Sequence, residues 1–152
     1  MKPRIAFFDF ACCEGCQLQV ANLGEALLDV LKLVEVVEFR EVMSEKWEGP
    51  LDLAVVEGSI TTKEAVERIE KIRARSRILI AYGSCATIGG VNGMKNRFPL
   101  EEIRRTVYGE HAHVFPTITT RALDQVVKVD YYVHGCPIWP AEFIEVLQAA
   151  IQ

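Results

Sequence analysis

Short apolar runs alternate along this chain with segments whose apolar residues recur every three or four positions, and this alternation constrains the fold more than any other feature. Strand-period and helix-period segments in turn require crossover connections, which places the chain in the α/β class with a parallel sheet. Arg4 to Phe10 reads as a buried strand, followed by a cysteine-bearing loop and then Leu18, Leu23, Leu27, Leu28 and Leu31 at helical spacing. Val34 to Val42 is a second strand and Leu51 to Val56 a third, which runs out into Glu57-Gly58-Ser59. Thr61 with Glu64 three positions later forms a capping-box pattern, and Val66, Ile69 and Ile72 then mark one helix face ending near Arg75. Arg77 to Tyr82 is the fourth strand. After Gly83-Ser84-Cys85 comes a long irregular region, helical only around Leu100 to Val107. Val129 to Val133 is the fifth strand, and Pro140 opens a last helix through Phe143, Val146, Leu147 and Ala150.

At 152 residues with 50% hydrophobic content, the sequence is expected to form a single domain over residues 1–152. Its 17 basic and 21 acidic residues give a net charge of -4, and no Lys/Arg-rich block could follow a phosphate backbone, which argues against nucleic acid. No apolar leader and no uninterrupted apolar run of membrane-spanning length occurs. The expectation is a cytoplasmic protein without a transmembrane segment.

Five cysteines occur, Cys12, Cys13, Cys16, Cys85 and Cys136. An odd number without a sign of export favours metal or redox chemistry over a disulfide framework. All five fall just past the carboxyl end of a strand, and in an open parallel sheet those ends share one edge, outside which ligands bind. Four thiolates can hold a [4Fe–4S] cluster or a tetrahedral zinc. Zinc ribbons usually use two close pairs, whereas here one close pair, Cys13-Glu14-Gly15-Cys16, is joined by two isolated cysteines beside glycine or small residues, a pattern that suits a bulkier cluster. Gly15, Gly83 and Gly135 would let backbone approach it. A competing reading is a thiol-disulfide oxidoreductase, since C-x-x-C between a strand and a helix also serves that chemistry, and helix N-terminal placement would lower the thiol pKa. It leaves Cys85 and Cys136 without a role.

Cys13-Glu14-Gly15-Cys16, Val56-Glu57-Gly58-Ser59, Gly83-Ser84-Cys85-Ala86 with Gly89-Gly90, and Gly135-Cys136-Pro137, in this order, resemble the small subunit of [NiFe]-hydrogenases and its homologue, the 20 kDa-type subunit of respiratory complex I. The resemblance covers essentially the whole chain. It implies a flavodoxin-like open parallel sheet with helices on both faces, one proximal [4Fe–4S] cluster on Cys13, Cys16, Cys85 and Cys136, and docking to a large subunit that carries the nickel-iron site. In the complex I pattern adjacent cysteines bind instead, so that Cys12 would replace Cys16. Larger hydrogenase small subunits carry further clusters on cysteines downstream, and this sequence has none after Cys136. The resemblance is therefore to short, single-cluster subunits, as in sulfhydrogenase or NAD(P)-linked types, which pass electrons to a further flavin- or iron-sulfur-containing subunit. Such a chain is expected to be inactive alone.

Several other residues carry two readings. Glu57 could move protons, contact a partner or cap the loop that follows it. His134 is a polar strand-end residue or a donor to the cluster, and the former is the simpler account. Trp47 and Trp139 suit a partner surface, or Trp139 a shield over the cluster. Ser59, Thr61 and Thr62 could cradle the phosphate of an FMN, but helix capping explains them without a ligand.

Overall fold

Because β-strands buried on both faces carry apolar residues at nearly every position, their ends are set by the first polar or glycine residues that follow. Thus β1 (Arg4–Asp9) stops at Asp9, β3 (Leu51–Glu57) at Glu57-Gly58 and β4 (Ser76–Tyr82) at Gly83, while β2 (Glu35–Phe39) and β5 (Tyr131–Val133) are shorter edge strands. The structure, a computed structural model, describes residues 2–152; Met1 and the side chain of Leu27 lie outside the described residues. All four strand pairings are parallel, in the order β2-β1-β3-β4-β5. That is the flavodoxin-like order, with the topological switch between β1 and β3.

Helices cover both faces. On one lie α1 (Gly15–Ala21), α2 (Glu25–Leu33) and α6 (Pro140–Ile151), which bury Val20, Val30, Phe143, Leu147 and Ala150 against Ile5, Phe7, Val55 and Ile80. Phe143 stands 6.2 Å from Phe7 and 5.8 Å from Tyr82, ring to ring. Each such aromatic pair adds about 1 kcal/mol to the area it buries. On the other face α3 (Lys63–Ala74) and α4 (Ser84–Ile88) bury Ile69, Ile72 and Ala86 against Ala6, Phe8, Val56 and Leu79.

Four expectations change. The leucine stripe does not belong to one helix: Gly24, at φ 60°, separates α1 from α2. Nor do Leu18, Leu28 and Leu31 of the stripe face the core: they are exposed, while Leu23 packs against it beside the buried Cys16, Gln17, Val20 and Val30. Thr62, not Thr61, caps α3, its hydroxyl accepting the Ala65 N–H at 3.1 Å. The stretch after Gly83 is helical around Leu100 as expected, at α5 (Leu100–Tyr108), but it also contains α4, a 3-10 segment at Val91–Arg97 and a second at Gly109–Val114. No helix among the described residues is long and apolar enough to cross a membrane.

Candidate metal centre

The parallel arrangement brings the carboxyl ends of β1, β3, β4 and β5 to one edge, where all five cysteines lie. Cys12, Cys13 and Cys16 come from the loop after β1 and the first turn of α1, Cys85 from the first turn of α4, and Cys136 from the turn after β5. Backbone bonds tie these loops together. Ala11 and Ser59 exchange N–H groups at 3.2 and 3.0 Å, joining the cysteine loop to the end of β3. Ser84 N–H donates to Gly135 O at 2.7 Å and Gly83 N–H to Val133 O at 2.8 Å, joining the loops that carry Cys85 and Cys136. Asn92 braces the first junction from the side, its amide donating to Ala11 O at 2.8 Å and to Ser59 Oγ at 3.0 Å. Nothing in the sequence marks Asn92 for this role, because its partners are more than thirty positions away.

Glycine shapes the floor of the crevice. A Cβ at Gly83 would stand 2.5 Å from Cys16 Sγ, one at Gly90 2.8 Å from Cys85 Sγ, and one at Gly15 3.3 Å from Cys13 Sγ. The first two glycines also hold φ of 83° and 52°, a region costly for other residues. Any side chain at these positions would press into the thiols.

Cys13 and Cys136 are exposed, Cys12 and Cys85 half-buried, and Cys16 buried. Burial pushes the Cys16 thiol up to about 12, reinforced by the charge of Glu57, while the Ile138 N–H works against the shift. Burial likewise pushes Cys12 up to about 12, against a bond from the Glu14 backbone. Cys85 is raised by burial first and then by the neighbouring thiols of Cys136 and Cys13. Among the described residues no three His, Cys, Asp or Glu groups are drawn together tightly enough for a single metal ion. The expected lowering of thiol pKa at the helix start is reversed at Cys16, because desolvation and a carboxylate outweigh the helix terminus.

Glu57 is almost fully buried and caps α1, not the loop that follows it, accepting the N–H groups of Cys16 at 3.2 Å and Gln17 at 3.0 Å. Desolvation raises its pKa, and these bonds oppose the rise. Glu14 stands at the N-cap in the left-handed region, at φ 62°, without a side-chain cap of its own. Arg40 holds this corner, 3.0 Å from Asp9 and 3.3 Å from Glu14. His134 follows the end of β5: its Nδ1 lies 3.1 Å from Thr87 Oγ1 and its ring stacks on Tyr132. Ser59 Oγ and Thr62 Oγ1 both have partners within the chain. Trp47 packs away from the crevice, donating to Pro50 O at 3.2 Å beneath Arg4, and presents no partner surface there. Trp139 is different, at 71% exposure, and with Ile88 at 72% and Val91 at 73% it borders the loops that carry Cys136 and Cys85.

Comparison with known proteins agrees with this architecture. Residues 13–150 match the family described as NADH ubiquinone oxidoreductase, 20 Kd subunit. The sulfhydrogenase 2 subunit delta of Pyrococcus furiosus is 33% identical over 144 residues, 95% of this chain and 60% of that one. The NAD-reducing hydrogenase HoxS subunit delta of Cupriavidus necator is 31% identical over 151 residues, covering 90% of this chain and 72% of that one. The chain spans roughly half to three fifths of the length of most of the curated relatives it matches. Among solved structures, a chain of an NAD+-reducing [NiFe]-hydrogenase superimposes with a TM-score of 0.86 at 28% identity, over 97% of this chain and 90% of that chain. A chain of the Ni-Fe-Se hydrogenase from Desulfomicrobium baculatum shares the fold alone, with a TM-score of 0.66 at 17% identity, over 98% of this chain and 62% of that chain. By the match over nearly its whole length, the chain belongs to the family of the NADH ubiquinone oxidoreductase 20 kDa subunit, and within it is similar to hydrogenase delta subunits.

Proposed function

We propose that this chain is the electron-transfer small subunit of a [NiFe]-hydrogenase, acting as one domain that holds a single [4Fe–4S] cluster on Cys13, Cys16, Cys85 and Cys136. The observation that carries the reading is the gathering of thiols from three separate loops at one sheet edge, over glycines that leave room at the sulfurs. The donor set fits such a group, being all sulfur, soft and partly buried. When bound, the cluster supplies one-electron redox chemistry. The residues of this chain do positional work: Glu57 fixes the turn bearing Cys16, the Gly83 and Gly135 junction fixes Cys85 against Cys136, and Asn92 braces the loop of Cys12 and Cys13. Burial of Cys16 keeps water from one side of the site.

The exposed apolar rim of Ile88, Val91 and Trp139 fits a protein partner, here the large subunit with its nickel-iron site, as aromatic and aliphatic residues at the centre of an interface do. A further redox subunit would complete the path. The proton and hydrogen chemistry belongs to the partner, so the chain alone is expected to be inactive.

A second reading, the complex I type of ligation, is favoured by one observation: Cys12 is half-buried and in electrostatic reach of Cys85, much as Cys16 is. Iron and sulfide analysis of the purified complex, with electron paramagnetic resonance after reduction, tests the main proposal. About four irons and four sulfides per chain are expected; zinc alone, or a dithiol without iron, would overturn it. Cys12→Ala should then leave the cluster in place and Cys16→Ala should not, and the reverse result would establish the second reading. Paired C-x-x-C motifs in the companion subunit would separate hydrogenase from complex I-like partners.

A further inference from the structure

The last residues of the central strands form a polar row. Asp9, Glu57 and Tyr82 are register partners across β1, β3 and β4, so they share the sheet face that α1 covers; the row beneath them, Phe7, Val55 and Ile80, is wholly apolar. Tyr82 is 0% exposed, its ring packed near Phe7 and Phe143, yet its hydroxyl has no hydrogen-bond partner within the chain. Gln17 is also 0% exposed, and neither Nε2 nor Oε1 of its amide has a partner. Its backbone N–H, by contrast, is bonded to Glu57. Three unpartnered polar atoms thus belong to two fully enclosed side chains whose residues both adjoin Glu57, Gln17 through its backbone bond and Tyr82 through the strand register.

Buried polar atoms left unpaired are costly and rare in native proteins, and the usual resolution is internal water making about three hydrogen bonds in a polar enclosure. A primary amide offers two donors and an acceptor, and a phenol one donor and an acceptor, which is the complement a water needs. We infer that Gln17 and Tyr82, with the Glu57 carboxylate, bind internal water in a closed polar chamber between α1 and the carboxyl ends of β3 and β4. The site suits water over a ligand that must enter from outside, because Gln17 and Tyr82 have no exposed surface and Glu57 almost none. It links α1, which carries Cys16, to the sheet by hydrogen bonds that the chain alone does not make.

The sign of a stability change tests this. A truly unpartnered Tyr82 hydroxyl is a burden, so Tyr82→Phe would raise the Tm of the intact full-length protein; a hydroxyl that holds water is an asset, so Tyr82→Phe lowers it. The expected result is a lower Tm for Tyr82→Phe, a lower Tm for Gln17→Met, which keeps the volume, and a double variant less damaged than the sum of the two. A raised or unchanged Tm for Tyr82→Phe overturns the proposal, and that variant decides alone if Gln17→Met fails to fold. A high-resolution crystal structure gives the second readout: density for water between Gln17 and Tyr82 supports the site, and a direct amide–phenol bond without water overturns it.

Discussion

Cys16 donates its backbone N–H to the carboxylate of Glu57 across 3.2 Å, although the two residues stand 41 positions apart in the chain. The first turn of α1 is therefore capped from another element of the fold. Glu57→Ala strips the acceptor from two buried N–H groups and should cost about 3 kcal/mol in urea unfolding. Glu57→Gln should recover part of that, since its amide oxygen still accepts one bond. Equal stability of Glu57→Ala and the parent protein would show that the cap is dispensable.

Gly83→Ala should empty the metal centre. The new methyl would stand 2.5 Å from Cys16 Sγ, on a backbone whose φ of 83° already disfavours it. Gly24→Ala is the matched control, with φ of 60° but no atom within 4 Å of the added methyl. It should cost about 2 kcal/mol of backbone strain, its ψ of -128° lying outside the left-handed helical well, and leave iron content unchanged. Equal iron in both variants would contradict the close approach at Gly83.

Thiol reactivity in the metal-free chain should follow exposure and thiolate character. Exposed Cys13 and Cys136 should be alkylated first by iodoacetamide at pH 8. Cys12 and Cys16, both pushed up to about 12, should react last, and mass mapping over time reads the order. Early labelling of Cys16 would mean that its burial beneath Gly83 is not maintained.

Asp130 governs part of the acid stability. Burial alone would raise its pKa, but the Leu79 N–H at 2.9 Å, Lys128 at 3.1 Å and Arg73 at 3.1 Å together hold it below the usual carboxylate range. The stabilisation is fully present above its unfolded value of about 3.9 and is lost as pH falls through the lower folded one. Asp130→Asn should flatten the decline of stability with acid below about pH 4. A parallel decline in both proteins would assign the acid limb to other groups.

Ile88→Asp with Val91→Asp should abolish co-purification with the proposed large subunit while leaving thermal unfolding of the chain unchanged, since both residues are more than 70% exposed. Leu33→Asp, exposed at the opposite edge of the sheet where α2 ends and β2 begins, should not. Loss of the partner in the Leu33 variant alone would move the interface away from the crevice.

The residue pattern discloses the sheet and the edge on which the cysteines gather because both depend on local signals: where apolar runs stop, and which residues come next. Helix faces are harder. Leu18, Leu28 and Leu31 have the spacing of one buried stripe, yet spacing reports neither the break at Gly24 that puts Leu18 on another helix nor which side faces solvent, and all three are exposed. The burial of Gln17 and the duty of Glu57 were hidden for a different reason, as each is defined by a partner forty positions away. Thr61 and Thr62 differ by one position, within the margin by which capping patterns fix a helix start.

β5 supplies Cys136 and pairs only with β4 at the rim of the sheet, through three residues. In biosynthetic terms, the crevice gains its last wall only once this short strand, the last in the sheet order, has docked. On the proposed reading, loading of the centre would report a completed sheet, and a chain truncated before β5 would present its remaining thiols without a site to fill.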